Sequence, residues 1–429
     1  MNEQTIKSIC ACSIIMALST LVHWFMPSVA LATTRFSLNG YNSIYAMGFS
    51  YPEYTDALAS LSDVIVGSFT NRLRLNARYT PNTLVSIHAA VDCSVRAQHS
   101  LLFNGSSSTT NGSDTFPEYR ISDPARKLIP DRDHQVDNAE LFWNLDRLYG
   151  VAGLAHADIY IGRQAISWGS GHIINPIDVL IPYRFNEFDT DERIGVDALR
   201  IRIPTGRLSE LDFGFVAGDN ACADTSAWYC RAKHHYFSFD QSWMLMRFLT
   251  HGLIGIDLTG AIMDAGCWIE SAWVMTDLFD WSERSASHDY IRTTCGLDYA
   301  CTDELYTFVE FHYNQAGQIH PRDYDENALR PAYRDGAVYL NGQYYLGSGM
   351  TYQHTPLIAS TGYVLVNCTD GSFFAVPEME YNVFENTYLH AGLYVGVGKS
   401  PTSDSGILTY HSEFGAYVDM CFISGRFYF

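Results

Sequence analysis

Arg72, Arg74 and Arg78 share one parity along a single stretch of chain, and Arg96, Arg200 and Arg202 stand in similar settings further on. In an extended chain, side chains of one parity lie on one face, so these guanidinium groups form rows. Such a row either locks a wall together through carboxylate partners or draws anions along it, as rings of Arg and Lys do in anion pores. A second candidate is the stretch GRQAISWGSGHIINPIDVLIP, from Gly162 to Pro182. It offers Arg163 and Gln164, and it brings Arg163 within reach of Asp197 if neighbouring strands carry them. Both a salt-bridge lattice and a cationic solute track fit these residues.

The elements that position them alternate with period two. Between residues 67 and 79, Phe69, Leu73, Leu75 and Ala77 oppose Arg72, Arg74 and Arg78; residues 83–96, 303–314 and 386–397 repeat the pattern. Similar dyads run through 137–145, 208–217, 253–263, 340–353, 358–368 and 372–382. Segments of about ten residues match a tilted spanning strand, and a 14% aromatic content suits interfacial girdles. We therefore expect an all-β, closed antiparallel transmembrane β-barrel of about 16 to 18 strands. Counting Trp243 to Met246 as a strand of its own favours 18.

Strict alternation has three difficulties. With Ile159 and Ile161 facing lipid, Arg163 would follow them at roughly 2–4 kcal/mol near the midplane. Either the phase slips at Gly162, where a bulge is sterically cheap, or Arg163 sits near the rim. A second slip between Ala198 and Leu199 would keep Asp197, Arg200 and Arg202 all inward. A third, at Ser424-Gly425, would spare lipid from both Asp419 and Arg426.

Residues 1–32 read as a secretory signal with Lys7 ahead of an apolar run and an Ala30-Leu31-Ala32 site, leaving 33–429 as the barrel. The chain carries 27 Lys+Arg against 47 Asp+Glu, and the signal removes one of each sign. This acidity disfavours nucleic acid. The strand that stops on Phe429 is expected to engage the barrel-assembly machinery, and the outer face to meet outer-membrane lipid and lipopolysaccharide.

Connections at 97–136, 169–191, 218–231 and 315–339 are long, and those between them short, which places the long ones outside the cell. The loop holding Asn175, Pro176, Asp178 and Glu187 is too apolar for solvent, so it is expected to fold into the lumen as a constriction. Cys222 and Cys230 are expected to pair as a disulfide in that oxidising compartment. No C-x-x-C or His-rich spacing indicates a metal, and Gly169-Ser170-Gly171 lacks the G-x-S-x-G of a nucleophile elbow. We expect no cofactor, no metal and no enzymatic role.

Gly162-Arg163-Gln164, Trp168-Gly169 and Asn175-Pro176-Ile177-Asp178 together resemble a family of Gram-negative outer-membrane barrels that includes alginate-export proteins and related porin-like barrels. The resemblance runs over roughly residues 67–429, with Thr294–Tyr299 and Asn367–Ser372 similar to other family strand ends. It implies a barrel with a transport role and names no substrate. The expected function is a porin-like channel for diffusion or export of small or anionic solutes or oligosaccharides. The alternative is a non-conducting surface barrel for polysaccharide assembly or adhesion.

Overall fold

The computed structural model describes residues 35–50, 66–98, 119–123, 127–129 and 139–429, except 189, 191, 281, 283, 405 and 406. The expected signal, residues 1–32, lies outside the described residues. Besides a separate two-stranded sheet, Thr402–Asp404 with Ile407–Thr409, the described residues form a 19-stranded antiparallel one. One member, Lys127–Ile129, is a three-residue addition beside Ala139–Gly153. The other 18 close on themselves: β1 Phe36–Ser50, β2 Val66–Tyr79, β3 Val85–Gln98, β4 Ala139–Gly153, β5 Asp158–Gln164, β6 Val196–Pro204, β7 Glu210–Ala217, β8 Ala227–Tyr236, β9 Phe239–Phe248, β10 His251–Ile262, β11 Ala265–Met275, β12 Tyr290–Ala300, β13 Leu305–Asn314, β14 Tyr344–Thr355, β15 Ile358–Asn367, β16 Phe373–Phe384, β17 Thr387–Val397 and β18 Asp419–Tyr428. Each pairs with the next, and β18 pairs with both β17 and β1. The closed antiparallel barrel of 18 strands agrees with the expectation, as does Trp243–Met246 lying on its own strand, β9.

Alternation decides which side chains face out. Leu75, Ile87, Leu148, Ile161, Leu199, Leu245, Val309 and Ile423 are exposed on the outer surface, where lipid rather than water satisfies an apolar face. The long connections gather at one end, which also carries the short β9–β10 and β15–β16 turns, and the other end carries short turns. Phe237 and Ser238, joining β8 to β9, both take left-handed φ, 50° and 64°, the geometry a tight two-residue hairpin turn requires.

The apolar core is inside the barrel and is built by loops. Ile166, Trp168, Ile177, Val179 and Leu180 from the β5–β6 connection pack against Met244, Met246, Phe248, Leu253 and Val274 of the wall. Ala332, Ala337 and Val338 from the β13–β14 connection join them, so that one half of the lumen is filled. On the other half, Phe185 and Phe188 of the same β5–β6 connection meet Phe374, Tyr394, Phe414 and Phe422.

This core corrects the expected slip in the last strand. Register from Asp419 to Tyr428 is unbroken against β1 and, as far as the pairing extends, against β17. Phe422 shares the inward parity of Arg426 because it packs edge-on against Phe188 at 4.4 Å. An apolar residue can face the lumen where a loop covers it. Asp419 is left on the outward parity at the rim, accepting the Gly396 N–H at 2.9 Å.

Near Gly162 the outcome is mixed. Ile161 is exposed, Gly162 has φ 116°, and Arg163 and Gln164 are buried, yet the ladder register does not shift. Arg163 is the penultimate residue of β5, which agrees with the rim alternative. The second slip does not occur: β6 keeps register with both neighbours, which gives Asp197 the parity of exposed Leu199. Asp197 needs no slip because residues 119–123 lie against it, with the Ile121 N–H donating to its Oδ2 at 3.0 Å. Gly162 itself tolerates no side chain, since a Cβ would lie 2.3 Å from the Leu148 carbonyl oxygen. Gly162→Ala is expected to destabilise the barrel by at least the 1–3 kcal/mol or so that such backbone strain costs, read as a lower unfolding temperature in detergent. An unchanged transition would refute the reading.

Candidate functional site

The arginine rows are largely paired. Arg74 is almost fully buried and binds Asp92 at 3.0 Å, Asp146 at 2.8 Å and Glu192 at 3.3 Å. Arg72 shares Asp92 at 3.1 Å. Arg200 binds Asp212 at 2.5 Å, and Arg202 binds Glu210. Arg96 lies over the Phe142 ring, 5.2 Å from its centroid. Arg163 ties Asp197 at 2.8 Å to Asp123 at 2.9 Å, while Gln164 donates to the Ala198 carbonyl at 3.2 Å. Arg78 shares the parity of Arg72 and Arg74. The lattice reading describes most of these groups, since a carboxylate-paired guanidinium presents little net charge to a passing ion.

The β5–β6 connection enters the lumen. Two wall carboxylates seize its backbone. Glu310 on β13 accepts N–H groups from His172 at 2.7 Å, Ile173 at 3.2 Å and Ile174 at 3.1 Å. Glu270 on β11 accepts those of Ser170 at 3.0 Å, Gly171 at 3.4 Å and Ile177 at 2.7 Å. Arg292 Nη2 donates to the Pro176 carbonyl at 2.7 Å. Gly347 on β14 and Gly255 on β10 leave room for Ile173 and Ile177, whose side chains lie within 2.5 Å and 3.1 Å of where a Cβ would stand. Asn175 packs against Gly169. Asp178 is fully buried with Arg193 Nη1 2.8 Å away, and burial pushes its carboxyl up to about 7. Neither Glu270 nor Glu310 was anticipated; both look like ordinary inward polar positions until the loop is placed.

Between this loop and the wall of β1 and β15 to β18 lies a cavity of about 810 Å³. Arg184, Glu187 and Phe188 face it from the loop, and Glu378, His390 and Arg426 from the wall. Its lining reaches Asn386 in the short β16–β17 turn. Of the expected site residues, only Asn175 and Glu187 line it; the expected track belongs to β2, β3, β5 and β6 instead.

Above the cavity the long loops are sewn together by Glu413, whose buried carboxylate takes Tyr345 OH at 2.5 Å, Asn367 Nδ2 at 2.7 Å and the Asn341 N–H at 2.7 Å. Burial pushes it up to about 7.

The expected disulfide is corrected. Cys222 lies in the β7–β8 loop, but Cys230 is inside β8 opposite Phe213 and Leu245, both exposed on the outer face, and the two thiols are free. The strand begins at Ala227, earlier than the loop boundary assumed from sequence.

No family model and no curated protein matches the chain. Solved structures do. OccK5 (OpdH) of Pseudomonas aeruginosa superposes with a TM-score of 0.54 at 7% identity, covering 92% of this chain and 99% of its own. The outer membrane protein OpdK of Pseudomonas aeruginosa superposes with a TM-score of 0.51 at 8% identity, over 92% and 98%. A structure of OpdK with vanillate gives 0.51 at 10%, over 91% and 98%. At such identities the likeness is one of fold.

Proposed function

We propose that this chain is a porin-like channel of the bacterial outer membrane, through which small or anionic solutes or oligosaccharides diffuse or are exported. The observation that carries the reading is the cavity beside the inserted loop, whose lining extends from the constriction to the short-turn end. The outer membrane protein OpdK, which shares the fold, was solved with vanillate, a small aromatic carboxylate, and this supports a small anionic cargo. The outer face would contact lipid and lipopolysaccharide, the long loops would lie outside the cell, and Phe429 would present the last strand to the assembly machinery. The relation to alginate-export barrels rests on Gly162-Arg163-Gln164 closing β5 and Asn175-Pro176 sitting at the constriction. In this reading the chain has no enzymatic role.

The apolar filling of the β6–β13 half favours the second reading, a non-conducting barrel for polysaccharide assembly or adhesion. Planar-bilayer recording separates the two. Discrete, ohmic current steps are expected, and a silent barrel would overturn the channel.

A further inference from the structure

The cavity wall is bipolar across three adjacent strands. Ladder register sets Glu380 of β16 beside His390 of β17, and His390 beside Ser424 of β18. One row further toward the short turns, Asn382, Tyr388 and Arg426 follow in the same order. Glu378 and Glu380 thus mark one edge of a strip and Arg426 the other, two strand spacings or roughly 10 Å apart. The Arg426 guanidinium is fixed by hydroxyls, Ser43 Oγ at 3.1 Å and Tyr45 OH at 3.2 Å. Glu378 accepts from Tyr394 OH at 3.2 Å. Glu380 is exposed to the cavity and makes no hydrogen bond or ion pair among the described residues. His390 and Tyr388 lie between the two edges, and Phe188 faces them from the loop.

We propose that this strip selects amphoteric solutes, molecules bearing an ammonium and a carboxylate several atoms apart, which lie across β17 with the cation toward Glu378 and Glu380 and the anion toward Arg426. The assignment rests on the channel reading above and narrows its cargo. An anion alone would find Arg426 but would pass an unsatisfied carboxylate at Glu380; a cation alone would meet the reverse. A solute with both charges meets a partner at each edge, and its carbon chain covers Tyr388.

Swelling of proteoliposomes in three six-carbon α,ω solutes tests it: adipate, 6-aminohexanoate and hexane-1,6-diammonium. The wild-type barrel is expected to admit 6-aminohexanoate fastest. Glu380→Gln, which breaks no internal contact and so leaves folding intact, is expected to slow 6-aminohexanoate by about threefold, as a partly exposed charge contact is worth, and to speed adipate. Arg426→Gln is expected to slow 6-aminohexanoate and adipate alike. Faster entry of adipate than of 6-aminohexanoate into the wild type, or an unchanged ratio in Glu380→Gln, would overturn the amphoteric assignment while leaving the channel standing. No swelling in any of the three, with no current in bilayers, would overturn the channel and the assignment together.

Discussion

Replacing both Glu270 and Glu310 with Ala is expected to release the lumenal loop, raising mean single-channel current and open-channel noise together. Six backbone N–H groups of residues 170–177 end on these two carboxylates. Hydrogen bonds to a charged group contribute about 1.5–3 kcal/mol each, and without the acceptors those donors would have to find water in a packed lumen. The aromatic contacts of Phe185 and Phe188 remain, so the loop should not leave altogether; it should exchange between seated and unseated states, which the noise reports. Glu310→Gln keeps one amide oxygen and one shape, so a smaller change in the same direction is expected. If the double variant keeps the wild-type current and noise, the carboxylates do not hold the constriction.

The second large effect concerns stability rather than current. Arg74→Met would leave Asp92 and Asp146 buried with Arg72 and Arg147 as their nearest remaining cations, so the loss of the shared guanidinium is expected to cost about 3 kcal/mol, the low end for a broken buried pair. Arg202 and Glu210 are far more exposed, so Arg202→Met should cost no more than about 1 kcal/mol. Unfolding of the purified barrel in urea, compared across the two variants, checks the contrast; equal losses would contradict it. Reversal potential should barely move in Arg74→Met, because that side chain is almost fully buried and does not line the cavity.

Strand count and facing were legible because parity is a local property: Leu75 and Arg74 declare their sides without knowledge of any neighbour. The course of residues 170–188 into the lumen follows from side chains visible in the sequence, since Phe185 and Phe188 have no place in water. What parity cannot tell is which arc of the lumen a loop will cover. That is why Arg72, Arg200 and Arg202 read as a solute path, whereas Arg426, Glu378 and His390 line the cavity. The same blindness produced the expected slip at Ser424-Gly425, where inward Phe422 looked misplaced only because Phe188 was not yet beside it. Cys230 failed differently, through a strand boundary set a few residues too late.

Phe188 touches Tyr45 on β1 at 5.1 Å and Phe422 on β18 at 4.4 Å, the two strands whose pairing shuts the barrel. The loop is thus a wedge at the seam, and assembly inherits a timing constraint from it. Contacts between the ends of a chain form late, after the entropy of closing the long intervening segment has been overcome. A cylinder sealed before the wedge is seated would have to reopen to admit it, so gate insertion and seam closure belong to one concerted step at the end of folding.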